Sequence, residues 1–326
     1  MPDLKQLILA RVADDLAAIE AALAENLTPY LDLVGEVAGH ILFAGGKRLR
    51  PLLMVLAARL CGYAGSHDKK YATIFEYLHA ATLLHDDLVD GGTLRRGRPV
   101  AHALYGNPTA VLVGDFLLAR SLSIAAESGS PAVIGVIANI TENMSQGEIH
   151  QLMRKGQLDL SREEYLEVIR RKTAVLIQGA CRVGAMIAGA PEARQNALGD
   201  YGHHIGLAFQ MADDLLDYTA DAGELGKAVG TDLKEGKLTL PVIHALDRAE
   251  AADRAWMAAL ITGGEVSPQD FDRLLRLLER HGGLRETRRL AEDHVRRAQA
   301  ALEIFPAGES REVLHYIADY ALQRRV

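Results

Sequence analysis

Apolar residues recur at three- and four-residue intervals along nearly the whole chain, the spacing that gives a helix one apolar face. Alternating Val, Ile and Thr stretches of the strand type are absent, so the pattern predicts helices from end to end. Their starts carry marks. A capping residue stands before a proline at Thr28-Pro29, Asn107-Pro108, Ser130-Pro131 and Ser267-Pro268, where the missing proline N–H costs nothing in a first helical turn. Ser161 and Glu164 have the spacing of a reciprocal capping box, which predicts a long helix from there to about Ala188. The stretch GELGKAVGTDLKEGKLTLP, 223–241, is the one extended irregular segment inside the chain. The expected fold is all-α: ten or more helices in a single domain, residues 1–326.

Composition narrows the function more than the fold. A hydrophobic fraction of 49% over 326 residues is ample for a large core, and a net charge of −7 argues against nucleic acid as the partner. Any anion site must therefore be local. Cys61 and Cys181 lie among apolar residues without metal or redox spacing, and read as small hydrophobes in a reducing compartment. The first sixteen residues fit neither a signal peptide nor a membrane span, and Arg59, Asp115 and Arg120 interrupt the long apolar segments. A cytoplasmic protein with no transmembrane segment is expected.

Two segments carry unusual chemistry. In LLHDDLVDGGTLRRGRP, 83–99, Asp86 and Asp90 share one helix face and Asp87 lies about 100° round, so three carboxylates repel unless a cation sits among them. Mg²⁺, which favours carboxylate oxygen, removes the repulsion. A lone D-D-x-x-D is also compatible with an exposed acidic turn, but FQMADDLLDY, 209–218, repeats the spacing with Asp213, Asp214 and Asp217 at the end of a strongly apolar helix. Two such helices presenting carboxylates to one cavity are the simpler reading. Mg²⁺ so held completes its shell with water and phosphate oxygens, and cations stand ready for phosphate. Lys47, Arg48 and Arg50 come just before a helix expected to begin at Pro51, where the macrodipole disfavours cations unless an anion binds. Arg95, Arg96, Lys172, Lys227 and Lys237 extend the set, each of which alone would read as a surface charge. Neither a P-loop nor a dinucleotide fingerprint is present, so the ligand read from the residues is a diphosphate without a nucleotide.

In their order, GGKRLRP, LLHDDLVD with LRRGRP, RRKTA, GLAFQMADDLLD and GKAVGTDLKEGKLTLP resemble the trans-isoprenyl (polyprenyl) diphosphate synthases, over most of the chain. The resemblance implies an all-α fold around a central cavity, and Mg²⁺-dependent head-to-tail condensation of isopentenyl diphosphate onto an allylic diphosphate. It implies that Asp86, Asp90 and Asp213 hold three Mg²⁺, with Asp87, Asp214 and Asp217 supporting them. Arg95, Lys172, Thr173, Gln210, Lys227 and Lys237 resemble the contacts to the allylic diphosphate; Lys47, Arg50, His79 and Arg96 resemble those to isopentenyl diphosphate. A homodimer, and transient membrane contact for product release, are further expectations from the family. Gly91-Gly92-Thr93 departs from the acidic and serine residues common there, which removes carboxylates near the metals.

Product length is read from the helix that carries the first aspartates. Ala81 and Thr82, five and four residues before Asp86, are small where family members making short products tend to carry a bulky aromatic. The helix expected as the facing wall, 131–153, has no aromatic residue either, leaving Ile137 and Met144 as candidate floors. A long-chain product of the hepta- to decaprenyl class follows, octaprenyl at its centre. Competing readings are a shorter-chain farnesyl or geranylgeranyl diphosphate synthase, a class I terpene cyclase, a non-catalytic synthase subunit, and a di-iron carboxylate bundle built on Glu76–His79 and Glu312–His315.

Overall fold

The computed structural model describes residues 3–219, 230–263 and 266–323. The chain begins with α1 (Leu4–Glu25), α2 (Asp32–Leu42), α3 (Leu49–Leu60) and α4 (Asp68–Val89), then makes a small hairpin, β1 (Leu94–Arg95) and β2 (Arg98–Pro99). Next come α5 (Ala101–Tyr105), α6 (Asn107–Glu127), α7 (Pro131–Arg154), α8 (Arg162–Ile169), a π-helical turn at Arg170–Ala174, α9 (Val175–Ile187) and α10 (Glu192–Thr219). The remainder is α11 (Thr231–Lys234), α12 (Leu240–Arg248), α13 (Ala251–Gly263), α14 (Pro268–Arg280), α15 (Gly283–Ala301) and α16 (Glu309–Gln323). The all-α expectation holds. The hairpin is its one exception among the described residues, and its strands are too short to show any apolar alternation.

Two compact units result. One gathers Met1–Glu142, Leu176–Gly202 and Ala301–Ile317; the other Asn143–Val175, His203–Ala300 and Ala318–Val326. Both collect segments remote in sequence, so no linker-like stretch marks a boundary between them. In the first unit, residues 72–78 of α4 are buried on every side, and α4 packs most extensively along α6. Close approach depends on glycine at Gly114 of α6, where a Cβ would lie 2.2 Å from the His85 ring. The Tyr77 hydroxyl, buried with the ring, donates to the Leu23 carbonyl at 2.6 Å, so this large side chain adds apolar area without an unpaired polar atom. By length and composition α6 could cross a membrane, so the expectation that charges break up every long apolar segment fails there. The residues that make it apolar include Val113, Leu117 and Ile124, which are buried in this unit. In the second unit the core joins Tyr165 and Ile169 to Met211, Tyr218, Leu240 and Leu274, with Tyr218 stacked flat on Phe271.

The helix starts were partly legible. The Ser161–Glu164 capping box forms in both directions at 3.1 Å, and helical structure continues from Arg162 to Ile187. Ser130 and Ser267 cap α7 and α14 as expected, accepting from the amides of Val133 and Asp270. Thr28 does not cap a helix. It adopts a left-handed conformation and α2 begins at Asp32, because Pro29 packs back toward Gly35 instead of opening the helix. Asn107 is the first residue of α6 rather than its cap, and α3 begins at Leu49, two residues before Pro51. Proline is tolerated throughout a first turn, so it locates a helix start only to within a residue or two.

Candidate active site

The first aspartate cluster sits where α4 ends. Asp86 and Asp90 are half-buried and one turn apart. Asp87 is buried and fully engaged: Arg95 donates to it from Nε at 2.8 and 2.9 Å, and Nη2 lies 2.6 Å from Oδ1. That arginine is delivered by the hairpin, in which Leu94 pairs with Pro99 and Arg95 with Arg98. Its turn residues, Arg96 and Gly97, both have positive φ, as the tight turns favoured by strand twist require. The Gly91-Gly92 departure has a local explanation. Gly91 is left-handed, its amide reaches the Leu88 carbonyl at 3.3 Å and the Gly92 amide reaches the Asp87 carbonyl at 3.0 Å, which is the Schellman pattern that ends a helix.

Beside this cluster the same unit gathers cations. Burial, and then Arg50, Arg96, Arg95 and Arg48, hold the His79 imidazole well below its usual pKa, so it is neutral at pH 7. Arg96 reaches the 44–48 loop: a Cβ on Gly46 would lie 3.4 Å from Arg96 Nη1 and 3.1 Å from Arg48 Nη1. Lys47 is exposed and Arg50 half-buried. The structure therefore brings Arg50, His79 and Arg96 together, with Lys47 on the loop that Arg96 approaches. Arg48 belongs to a different group. It is buried and spent on Glu20, Glu76 and the Leu42 carbonyl, a role the sequence did not distinguish from that of its basic neighbours. The di-iron alternative fails on the same geometry, since Glu76 accepts from Arg48 and Glu312 from Arg11.

The second cluster ends α10. Asp213 is exposed, whereas Asp214 and Asp217 are buried. Asp214 accepts from the Tyr165 hydroxyl and from Gln210 Nε2 at 2.9 Å, while Gln210 in turn accepts from Thr173. Burial, and next the charge of Asp232, push the Asp214 carboxyl up to about 8. Asp217 accepts the backbone amides of Thr231 and Asp232, each at 3.1 Å, and so fixes the start of α11. A cleft within this unit is lined by Lys172, Thr173, Gln210, Asp214, Asp232 and Lys237 among others. Four of the residues expected at an allylic diphosphate thus share one cleft. Lys172 bonds Glu148 at 2.5 Å and Gln151 at 2.8 Å, and Lys237 pairs with Glu235 at 2.8 Å. Lys172 and Thr173 ride on the π turn, whose backbone is approached from two sides by glycines. A Cβ at Gly147 would stand 2.8 Å from the Lys172 amide nitrogen, and one at Gly206 2.5 Å from Ala174 Cα. Such π turns occur often at functional sites, and this one coincides with the RRKTA segment, although nothing in the sequence marked it as a π turn. Tyr165, Gln151, Arg154 and Lys155 also line the cleft and carried no motif signal, and Asp232 lies within the GKAVGTDLKEGKLTLP motif but was not singled out. Lys227 lies outside the described residues.

No closed metal cage is present: among the described residues no three His, Cys, Asp or Glu side chains gather into a cation site. The donors fit Mg²⁺ nonetheless. An ion at Asp86 and Asp90, or at Asp213, would take one or two carboxylates and complete its shell with water and phosphate oxygens, which is how Mg²⁺ is commonly held.

Residues 32–278 match the family model described as polyprenyl synthetase. The chain belongs to that family. It is 39% identical to the octaprenyl diphosphate synthase of Escherichia coli over 96% of both chains. It is 40% identical to the geranyl-diphosphate-specific all-trans-nonaprenyl-diphosphate synthase of Rhodobacter capsulatus, covering 99% of this chain and 98% of that one. A polyprenyl synthase from Caulobacter crescentus, solved with calcium and isoprenyl diphosphate, superimposes with a TM-score of 0.93 at 41% identity, over 99% of this chain and 98% of that one. As a prenyltransferase of this family, the chain carries both aspartate motifs intact, unlike a non-catalytic subunit. The chain-length positions also find their places: α4 has 22 residues and is about 33 Å long, Ala81 on it is fully buried, and the Thr82 hydroxyl donates to the His79 carbonyl. Ile137 and Met144 are buried as well. The wall expected from 131–153 was incomplete, because α6 runs along α4 most extensively and brings half-buried Phe116 with it.

Proposed function

We propose that this protein is a long-chain all-trans polyprenyl diphosphate synthase that adds isopentenyl diphosphate to an allylic diphosphate, with octaprenyl diphosphate as its principal product. The observation that carries the reading is the shared cleft of Lys172, Thr173, Gln210 and Lys237 beside the second aspartate cluster: two lysines and two polar side chains on one cleft suit a diphosphate. Asp86 and Asp90 at the end of α4, and Asp213 at the end of α10, would hold Mg²⁺. When bound, Mg²⁺ neutralises the charge that develops on the departing diphosphate. Lys172 and Lys237 add fixed positive charge for the same oxygens, and Gln210, oriented by the Thr173 hydroxyl, spends one amide N–H on Asp214 and has a second to donate. Arg95 spends Nε and Nη2 on Asp87, which leaves Nη1 to reach a phosphate. Lys47, Arg50 and Arg96 bind isopentenyl diphosphate, whose double bond attacks the allylic carbon as its C–O bond breaks. His79 is a contact there rather than the base, since burial, and then the surrounding arginines, make its imidazole a poor proton acceptor. The released diphosphate takes the proton. Supporting a long product, Ala81 and Thr82 leave α4 without a bulky plug. Like the family, the enzyme acts as a cytoplasmic homodimer, and light scattering should give twice the chain mass.

The deciding experiment incubates the purified chain with isopentenyl diphosphate and each allylic primer, with Mg²⁺ and with excess chelator, and sizes the products. Products of seven to ten isoprene units that vanish on chelation are expected. A cyclised hydrocarbon formed without isopentenyl diphosphate, or no product from the chain alone, would refute the proposal.

A further inference from the structure

Arg48 stands between Lys47 and Arg50, yet its chemistry differs from theirs. Its backbone is left-handed at φ 47°, a conformation that costs a non-glycine residue energy and persists only where the surroundings enforce it. The surroundings do so through three helices. Nε donates to Glu20 of α1 at 2.5 Å, Nη2 to the carbonyl of Leu42, the last residue of α2, at 2.6 Å, and Nη1 to Glu76 of α4 at 2.7 Å. Its side chain is only 4% exposed, and the planar fork spreads its donors over three nitrogens to reach three separated partners, whereas an ammonium offers its three donors from a single nitrogen. A cation at the end of α2 also suits the helix dipole. One of these partners, Glu76, bears directly on residues of the proposed isopentenyl diphosphate site. Glu76 lies one turn before His79 on α4 and attracts Arg96 as well as Arg48. Gly46, beside Lys47, lies against both guanidinium groups, with no side chain to hold them off.

We propose that Arg48 is a positioning residue for isopentenyl diphosphate binding: anchored by Glu20, the Leu42 carbonyl and Glu76, it holds the Lys47–Arg50 segment in register with His79 and Arg96. This rests on the assignment of those four residues to that substrate. Arg48 itself turns away from the ligand, and acts by fixing a loop that would otherwise sample many conformations and place its two cations wrongly. An error of about 1 Å in such placement can cost up to about a hundredfold.

The test compares Arg48→Lys, Glu20→Gln and Lys47→Ala, measuring KM for each substrate, kcat and Tm. Arg48→Lys keeps the charge that neutralises buried Glu76 but loses the fork. It should raise KM for isopentenyl diphosphate about tenfold, with KM for the allylic substrate and kcat within about twofold. Glu20 is 44% exposed, so Glu20→Gln should fold normally and raise the same KM about threefold. A folded Arg48→Lys enzyme with unchanged KM for isopentenyl diphosphate, or with both KM values raised equally, would overturn the proposal. Should Arg48→Lys fail to fold, Glu20→Gln decides by the same criterion. Lys47→Ala separates the underlying assignment: if it leaves that KM unchanged, the site itself is misassigned, whereas a raised KM there with silent Arg48 and Glu20 variants refutes positioning alone.

Discussion

The two aspartate clusters share one spacing and are held by different chemistry. At the end of α4 the buried member, Asp87, is neutralised by a guanidinium brought round by the hairpin. At the end of α10 the buried member, Asp214, accepts from a tyrosine hydroxyl and an amide, and burial followed by the charge of Asp232 raises its proton affinity. The last member differs as well. Asp90 closes α4 just ahead of the two glycines, whereas Asp217 is consumed by backbone amides and organises α11. In both, the second aspartate of the motif is buried and serves the scaffold, while the first is more accessible. The motif sets the spacing of the carboxylates, and the surroundings decide which are presented and how the remaining charge is compensated.

The comparison can be broken most decisively at the presented carboxylates. Asp86→Ala and Asp213→Ala should each lower turnover by about 10³-fold with circular dichroism unchanged; near-normal turnover in one of them would show that the two clusters are not functional equivalents. Next in size is the effect on product length of the helix that carries the first cluster alone. Ala81→Tyr should shorten the product to about three or four isoprene units, because the ring fills space one to two turns below Asp86. Retained activity with unchanged products would mean that the chain does not grow past α4 there. The buried members should differ in stability. Asp87→Asn leaves Arg95 without its carboxylate and should cost about 1–3 kcal/mol, while Tyr165→Phe removes one hydrogen bond to Asp214 and should cost about 1–2 kcal/mol. Urea unfolding of both variants measures the difference, and equal costs would argue that the mode of compensation is immaterial.

The smallest effect concerns pH, and again separates the regions. His294 lies in the unit of the second cluster, 2.9 Å from His204 between Nδ1 atoms, and burial followed by the charges of His204, Arg297 and His203 lowers it to about 4. An unfolded imidazole takes up its proton near pH 6.5, the folded one only near 4, so stability present above 6.5 is lost as pH falls through that window. Because the ring is partly solvated, the loss should be on the order of 1 kcal/mol. Hydrogen exchange should report it as faster opening of α10 and α15, and His294→Gln should flatten the slope. Equal loosening of α3 and α4 would show that the histidine pair is not the cause.

The all-α class, the long helix from Arg162, and the two aspartate clusters were legible because each is local. Helical periodicity, a capping box and i, i+4 carboxylates are properties of a few turns of chain. Local signals also misled, since proline marked helix starts only approximately and Arg48 was indistinguishable in sequence from Lys47 and Arg50. What the sequence determined by itself is the family and the fold class. The tertiary structure alone decided which charges are spent internally. Arg48 needs Glu20 and Glu76, Asp87 needs the turn of the hairpin, and the backbone of the π turn under Lys172 has room because Gly147 and Gly206 face it. Those partners are close in space and far apart in sequence, and a buried charge takes its meaning from what stands a few ångströms away.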